Sequence, residues 1–351
     1  MKNKAVFKKI GKIVLRVGAF LGSFLLAAVL TVVISLSMIC SDAFPSAQQM
    51  FVTTILETGQ LKFLASVFLS ADEIQEIVDK NSMKQLNAEV DSDLIQIGDN
   101  TNTDEKDIEV VEVSGATFSG TMMIIKDPSR VSLATIYPWK EMGVTLDELV
   151  KSNGAVAGIN GGLYNSSNNT GGRPMGVIVS NGEIQHNHPQ EAKGLVLIGF
   201  TEDNLLEIID ISSMNASDVQ SLVKTRKIRD AVTFQEEASD ANNHFVQLII
   251  NNEAREMNGM GSGLNPRTAI GQRADGAVLL FVTDGRGKSG HLGASSGDLI
   301  SVMQEYGAVN AANLDGGSSS CMYYDGQYLK SSVTFYYENS SWRLPAGFIV
   351  K

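Results

Sequence analysis

Cysteine is almost absent from this sequence: Cys40 and Cys321 are the only two in 351 residues. A disulfide framework is excluded, so the core must hold by packing alone. Grouped basic residues are scarce once the first sixteen positions are passed. Those positions hold Lys2, Lys4, Lys8, Lys9, Lys12 and Arg16 and no acid, so the remainder carries a net charge of −17 where the whole chain carries −11. Binding to nucleic acid requires Lys and Arg clustered against phosphates, and an acidic body argues for no nucleic-acid partner. Charge of either sign is missing from residues 17–41. No fixed-period internal repeat is present, which sets aside solenoids and propellers.

The uncharged run is the first positive feature. As a helix it extends roughly 37 Å at about 1.5 Å per residue, enough to cross a hydrocarbon core of about 30 Å. Its basic leading flank and the Asp42 that follows place the N-terminus in the cytoplasm and the remainder outside. A signal peptide has an apolar region of only about 7–15 residues. No small-x-small cleavage site precedes Asp42, and the residues before Cys40 match a lipoprotein site poorly. The sequence therefore predicts a single-pass cell-membrane protein: a cytoplasmic basic tail (1–16), an uncleaved transmembrane anchor (17–41) and an extracellular body.

Residues 42–97 read as a helical juxtamembrane stalk. The 45–69 stretch is apolar in part, but Glu57, Gln60 and Lys62 make it too polar for a second span. Ser70-Ala-Asp-Glu73 has the pattern of a capping box and should start a helix reaching about Asn81. Residues 98–107 are polar and turn-rich and read as a linker. From Ile108 onward short β-type runs alternate with a few helical segments. This predicts an α+β fold, a mixed β-sheet domain with packed helices over residues 108–351. Hairpins are expected across Asp127-Pro-Ser-Arg130, Asn181-Gly182, Glu202-Asp-Asn204 and Ala274-Asp-Gly276. Helices are expected over 146–152 and 216–224 and from Ser295 to a Gly307 cap.

Four places share one grammar, an apolar strand ending in a polar or charged residue beside glycine or proline. They are Asn160-Gly161-Gly162, Asn265-Pro-Arg267-Thr, Asp284-Gly-Arg286 and Asn313-Leu-Asp315-Gly316-Gly317-Ser318. Strand ends on glycine-rich turns are where sheets build pockets. If the four converge, the pocket holds two carboxylates, two guanidinium groups, amides and bare backbone N–H groups. Two carboxylates in different environments can divide acid, base or nucleophile roles. Arginine presents a rigid fork for phosphate or carboxylate. The combination suits an anionic, hydroxyl-rich substrate.

Taken in order with Gly176-Val-Ile-Val-Ser-Asn-Gly182 and Gly307-Ala-Val-Asn310, these motifs resemble the phosphodiester glycosidase family, whose bacterial members are often labelled exopolysaccharide biosynthesis proteins. The resemblance covers residues 108–351. Two departures stand out: Ser318 occupies a position where the family often has a third glycine, and the closing segment from Arg343 follows the family only loosely. The resemblance implies hydrolysis of a sugar C1–O bond with a phosphate monoester as leaving group, on a phosphorylated cell-surface or exopolysaccharide glycan. It also implies Arg267, with Arg286, at the phosphate. It further implies Asp315 and Asp284 as the candidates for nucleophile or base and for binding the sugar hydroxyls, and Asn160 and Asn313 as candidates to orient the sugar beside Gly161, Gly162, Gly316, Gly317 and Ser318. No cofactor is required by the sequence, although so acidic a site leaves room for a divalent cation. The competing reading is a non-catalytic glycan-binding or exopolysaccharide-assembly protein on the same scaffold.

Other candidates weigh less. His186-Asn-His188 lacks a third ligand at a metal-site spacing and reads as a surface loop. His291 follows Asp284 closely enough to line the same pocket. Cys321 has no partner histidine at a nucleophile's spacing and reads as a small buried residue. Gly259-Met-Gly-Ser-Gly263 is not followed by a helix pattern, so it is not a dinucleotide loop.

Overall fold

The structure, a computed structural model, describes every residue except Met1, Gln60, Asn87, 99–106, Met260 and 335–338, and gives the backbone alone for 2–6, 8 and 9. The expected linker at 98–107 thus lies almost wholly outside the described residues. Among these residues, three antiparallel sheets share one core. The largest runs, strand by strand, Ile108–Ser114, Ser119–Ile125, Val278–Thr283, Thr268–Arg273, Ala308–Asn313, Gln247–Ile250 and Glu253–Ala254. The second runs Gln327–Lys330, Met322–Tyr324, Ala157–Asn160, Ala346–Val350 and Val131–Thr135. The third runs Glu183–Asn187, Val177–Ser180, Ile228–Gln235, Leu195–Thr201 and Leu206–Asp210.

Period-two alternation assigns each strand's faces. In the first sheet Met123, Ile125, Leu280 and Val282 enter the shared core, with Leu133, Ile159 and Phe348 of the second sheet and Ile198, Phe200 and Val232 of the third. Their neighbours Met122, Ile124, Leu279 and Phe281 face the opposite way, under Leu299, Ile300 and Met303 of the Ser296–Glu305 helix. The other two sheets are covered on their outer faces in the same manner, by Leu146–Ser152 and by Ala216–Thr225. The inner strands are therefore buried on both faces, which explains near-continuous apolar runs such as Leu195–Thr201, while edge strands such as Ile108–Ser114 and Glu183–Asn187 keep exposed positions.

Most local signals act as expected. Asn181 and Gly182 both take positive φ, 51° and 75°, and close a two-residue hairpin. Ser295 and Asp298 form a reciprocal capping box, and Gly307 ends that helix region at φ 79°. One signal is overturned. The strands on either side of Asp127-Pro-Ser-Arg130 do not pair: Ser119–Ile125 lies in the first sheet and Val131–Thr135 pairs with Ala346–Val350 in the second. Asp127 accepts from the Ser129 N–H at 3.0 Å and caps a 3-10 turn that hands the chain from one sheet to the next. His186 and Asn187, expected in a loop, belong to the Glu183–Asn187 strand.

At the N-terminus one helix runs from Lys2 to Ile39, so the basic tail and the apolar run are a single element, and its Ile10–Ile39 part is long and apolar enough to cross a membrane. Residues 45–80 form three short helices, Pro45–Leu56, Phe63–Phe68 and Ala71–Lys80, around Val52, Leu56, Ala65, Ile74 and Val78. This bundle docks on the β domain instead of standing apart from it. Glu57, at the end of its first helix, pairs with Arg267, and in the segment after the bundle Arg255 donates to the carbonyls of Met83 and Lys84 while Val90 enters the shared core.

Candidate active site

The four glycine- and proline-flanked strand ends come together. Asn160 ends its strand fully buried, and its side chain is spent on backbone and neighbours: Nδ2 donates to the Asp315 carbonyl at 2.6 Å, and Oδ1 accepts from Thr268 Oγ1 at 2.7 Å and Cys321 N at 3.2 Å. Gly317 N donates to the Pro266 carbonyl at 2.8 Å, and Arg267 N donates to Thr283 Oγ1 at 2.9 Å. These side-chain and backbone bonds tie together the loops that carry Arg267 and Asp315 and the strand that ends at Asp284. Gly161 and Gly162 lie against Ala346 and Thr233, where a Cβ on Gly162 would sit 2.3 Å from the Thr233 carbonyl oxygen.

Asp315 stands just beyond the Ala308–Asn313 strand. Burial pushes its carboxyl up to about 7, against hydrogen bonds from Ser319 and the Gly316 N–H and the charge of Arg286, all of which favour the anion. Ser319 Oγ also lies 3.0 Å from the Tyr164 hydroxyl, so Tyr164, Ser319 and Asp315 form one chain. The Tyr164 phenol is raised well above its usual value, first by burial and then by the Asp315 charge.

The two arginines differ sharply. Arg286 is exposed, in the left-handed region at φ 54°, and its Nη1 donates to Ser318 Oγ at 2.9 Å. Gly317 makes room for it, since a Cβ there would fall 2.6 Å from Arg286 Nη2. Arg267 is only 4% exposed. It donates to the Ala294 carbonyl at 3.0 Å and the Gly263 carbonyl at 2.6 Å, and it is ion-paired with Glu57 of the N-terminal helices. Arg267 is thus committed to protein groups, and Arg286 is the accessible fork.

Asp284 is also nearly buried. Its Oδ1 accepts from Ser119 N at 2.9 Å and its Oδ2 lies 2.7 Å from His291 Nδ1, so His291 does adjoin it. Asn313 donates to the Phe245 carbonyl at 3.0 Å, leaving its Oδ1 buried with no hydrogen-bond partner among the described residues. Cys321 is fully buried, which raises its thiol. His186 Nε2 lies 3.2 Å from Glu191 Oε2 on the third sheet. Among the described residues no group of three or more His, Cys, Asp or Glu side chains is arranged to hold a metal ion.

The phosphodiester glycosidase family model matches residues 153–351, which include all four strand ends. The chain belongs to the phosphodiester glycosidase family. It is 24% identical over 253 residues to a mouse N-acetylglucosamine-1-phosphodiester alpha-N-acetylglucosaminidase, covering 67% of this chain and 45% of that protein. It is 39% identical over 67 residues to the SPbeta prophage-derived uncharacterized protein YomE of Bacillus subtilis, covering 19% and 10%. It therefore spans less than half the length of either curated relative. Among solved structures, the catalytic domain of the zebrafish N-acetylglucosamine-1-phosphodiester alpha-N-acetylglucosaminidase, in a form auto-inhibited by pro-peptide, aligns at TM-score 0.54 and 17% identity over 73% of this chain and 86% of that one. The likeness establishes the fold of this phosphodiester glycosidase family member.

Sequence reading misses several residues of the site. Tyr164 lies two residues beyond the Asn160-Gly161-Gly162 motif and Ser319 one residue beyond Ser318. His244 lies on the short Asn243–His244 strand and is held down to about 4 by burial, then by Arg267 and Lys62. Glu57 carries a weak signal, an acid at the end of an apolar helix, with nothing in its spacing to say which loop it meets.

Proposed function

We propose that this protein hydrolyses a sugar-1-phosphodiester, breaking the C1–O bond so that water supplies the new hydroxyl on C1 and the departing oxygen leaves on a phosphate monoester. Membership of the family supports the reaction class. The observation that carries it at residue level is Asp315, a carboxyl raised to about 7 and set beside an exposed guanidinium, Arg286. A phosphate monoester is a far better leaving group than a sugar alkoxide. The site therefore has less need of a strong acid than of charge neutralisation and support for an oxocarbenium-like transition state.

Arg286 neutralises the phosphate, with Ser318 and the bare backbone of Gly316 and Gly317 beneath it. Asp315 works at C1, as nucleophile or as base toward water, and a value near neutrality suits proton transfer in either direction. Tyr164 and Ser319 hold it. Asp284, oriented by Ser119 and His291, meets the sugar hydroxyls. Arg267 contributes from behind the site through its hold on the surrounding loops. The Ile10–Ile39 helix anchors the enzyme, its basic flank keeps the N-terminus cytoplasmic, and the β domain acts outside on a phosphorylated cell-surface or exopolysaccharide glycan.

The full chain in detergent, assayed on a panel of sugar-1-phosphodiesters, tests the reading. Turnover releasing free sugar, lost in Asp315→Asn and reduced in Arg286→Ala, is the expected result. Binding of the same compounds without product, unchanged in Asp315→Asn, would establish the glycan-binding alternative instead.

A further inference from the structure

Glu57 lies outside the matched glycosidase segment, yet its side chain is 2% exposed and every contact it makes is inside the β domain. Oε1 accepts from the Gly263 N–H at 2.7 Å and from Asn243 Nδ2 at 3.3 Å. Oε2 accepts from Asn265 Nδ2 at 3.2 Å and pairs with Arg267 Nη2. All four partners are donors. Two oxygens that only accept fit this cradle, whereas an amide would turn an NH2 group onto donors. Burial raises the Glu57 carboxyl, and Arg267 acts first among the groups that oppose the rise.

The cradle is built for close approach. A Cβ on Gly263 would fall 2.2 Å from Thr54 Cα, so the end of the Pro45–Leu56 helix lies directly on the Gly263–Asn265 backbone. Thr54 adds two contacts, accepting from Leu264 N at 3.1 Å through its hydroxyl and from Asn265 Nδ2 at 3.4 Å through its carbonyl. This is the use of the glycine-rich stretch before Asn265.

Asn265 connects this face to the site. With Nδ2 turned toward Glu57 and Thr54, its Oδ1 accepts from Arg286 Nη2 at 3.4 Å. The next residue, Pro266, takes the Gly317 N–H beside Asp315. We propose that Glu57 is a positioning residue of the glycosidase site: the helices next to the membrane segment supply a buried carboxylate that fixes the Asn265 amide and, through it, the Arg286 guanidinium that meets the substrate phosphate. The catalytic unit then begins at about residue 45, ahead of the family segment. This inference rests on the phosphodiester glycosidase reading given above.

A double-mutant cycle on the full chain tests it, with Glu57→Gln, Arg286→Ala and the pair assayed on one sugar-1-phosphodiester at a temperature where all are folded by circular dichroism. Glu57→Gln should lower kcat/KM by about tenfold or more, and Arg286→Ala should cost less in the Glu57→Gln background than in wild type. Glu57→Asp, which keeps two accepting oxygens, should recover part of the loss and provides the measurement if Glu57→Gln does not fold. Fully additive losses, or a folded Glu57→Gln or Glu57→Asp with wild-type kcat/KM, would overturn the proposal. So would faster turnover in Glu57→Gln, which would make the carboxylate an inhibitory plug. Absence of turnover in the wild type removes the glycosidase reading itself, and this inference with it, and is distinguished by that control.

Discussion

Asn160 donates its side-chain amide to the backbone carbonyl of Asp315 at 2.6 Å, joining the end of one sheet to the turn that carries Asp315 on another. Its Oδ1 is used twice as well, by Thr268 and Cys321. The role is therefore to place Asp315 from below. Asn160→Ala leaves three buried groups without partners and should cost about 2–4 kcal/mol of stability. Asn160→Asp should be worse, since it sets a buried charge against the Asp315 carbonyl. Urea unfolding measures both, and a loss under about 1 kcal/mol in either would contradict the assignment.

Gly317 and Arg286 share one space. Gly317→Ala puts a methyl where Arg286 Nη2 now lies and places a non-glycine residue at φ 62°. The side chain of Arg286 can swing away, so the fold should lose only about 1–2 kcal/mol. Substrate capture should suffer more, with KM for a sugar-1-phosphodiester rising about tenfold if the guanidinium meets the phosphate. Unchanged KM with lowered stability would remove Arg286 from the phosphate site.

How far the sequence discloses this follows from range. Asn181-Gly182 predicts its own hairpin because both turn residues carry the needed backbone conformation. Asp127-Pro-Ser-Arg130 is an equally good turn, yet it joins two sheets, because Val131–Thr135 gains more by pairing with Ala346–Val350 over two hundred residues away than with its neighbour. Periodicity describes a strand's faces and is silent about its partner. The site divides along the same line. Asp315, Asp284 and Arg286 are legible, since motif and strand end coincide. The difference between Arg286, exposed, and Arg267, buried, depends on Glu57, and no spacing rule relates residues 57 and 267.

Arg267 illustrates the consequence for experiment. Its guanidinium is paired with a carboxylate that is itself 2% exposed, so removing one partner strands the other in the interior. Arg267→Ala should cost about 3–5 kcal/mol. Arg267→Met together with Glu57→Met removes both charges at similar volume and should recover part of that loss, the Gly263, Asn243 and Asn265 donors losing the Glu57 carboxylate. Thermal unfolding of the two single variants and the pair gives the coupling. A stable Arg267→Ala that has lost only phosphate affinity would instead make Arg267 the phosphate ligand.

Asp315 should reveal itself in stability as well as in rate. Its carboxyl titrates at about 7 in the folded protein against an ordinary value of 3.8. Between those values the native state holds a proton that the unfolded chain has released. Stability from this group is therefore full below about pH 4, falls as pH rises through 7, and stays low above it. At roughly 1.4 kcal/mol per pKa unit, and discounting for partial exposure, the loss is about 2–4 kcal/mol. His244 runs the other way: its value is lowered from 6.5 to about 4, so its contribution is present above 6.5 and lost as pH falls toward 4. In the wild type the two offset each other between pH 4 and 6.5. Asp315→Asn removes one of them. The variant should exceed the wild type in stability at pH 8 by about 2–4 kcal/mol, and the difference should close toward pH 4. An inactive variant whose stability advantage grows between about pH 4 and 7 and is full at pH 8 fits a carboxylate held in an unfavourable place for chemistry. A variant no more stable at pH 8, or equally favoured at pH 4, would mean that Asp315 is ionised at no cost and has no raised value to use in catalysis.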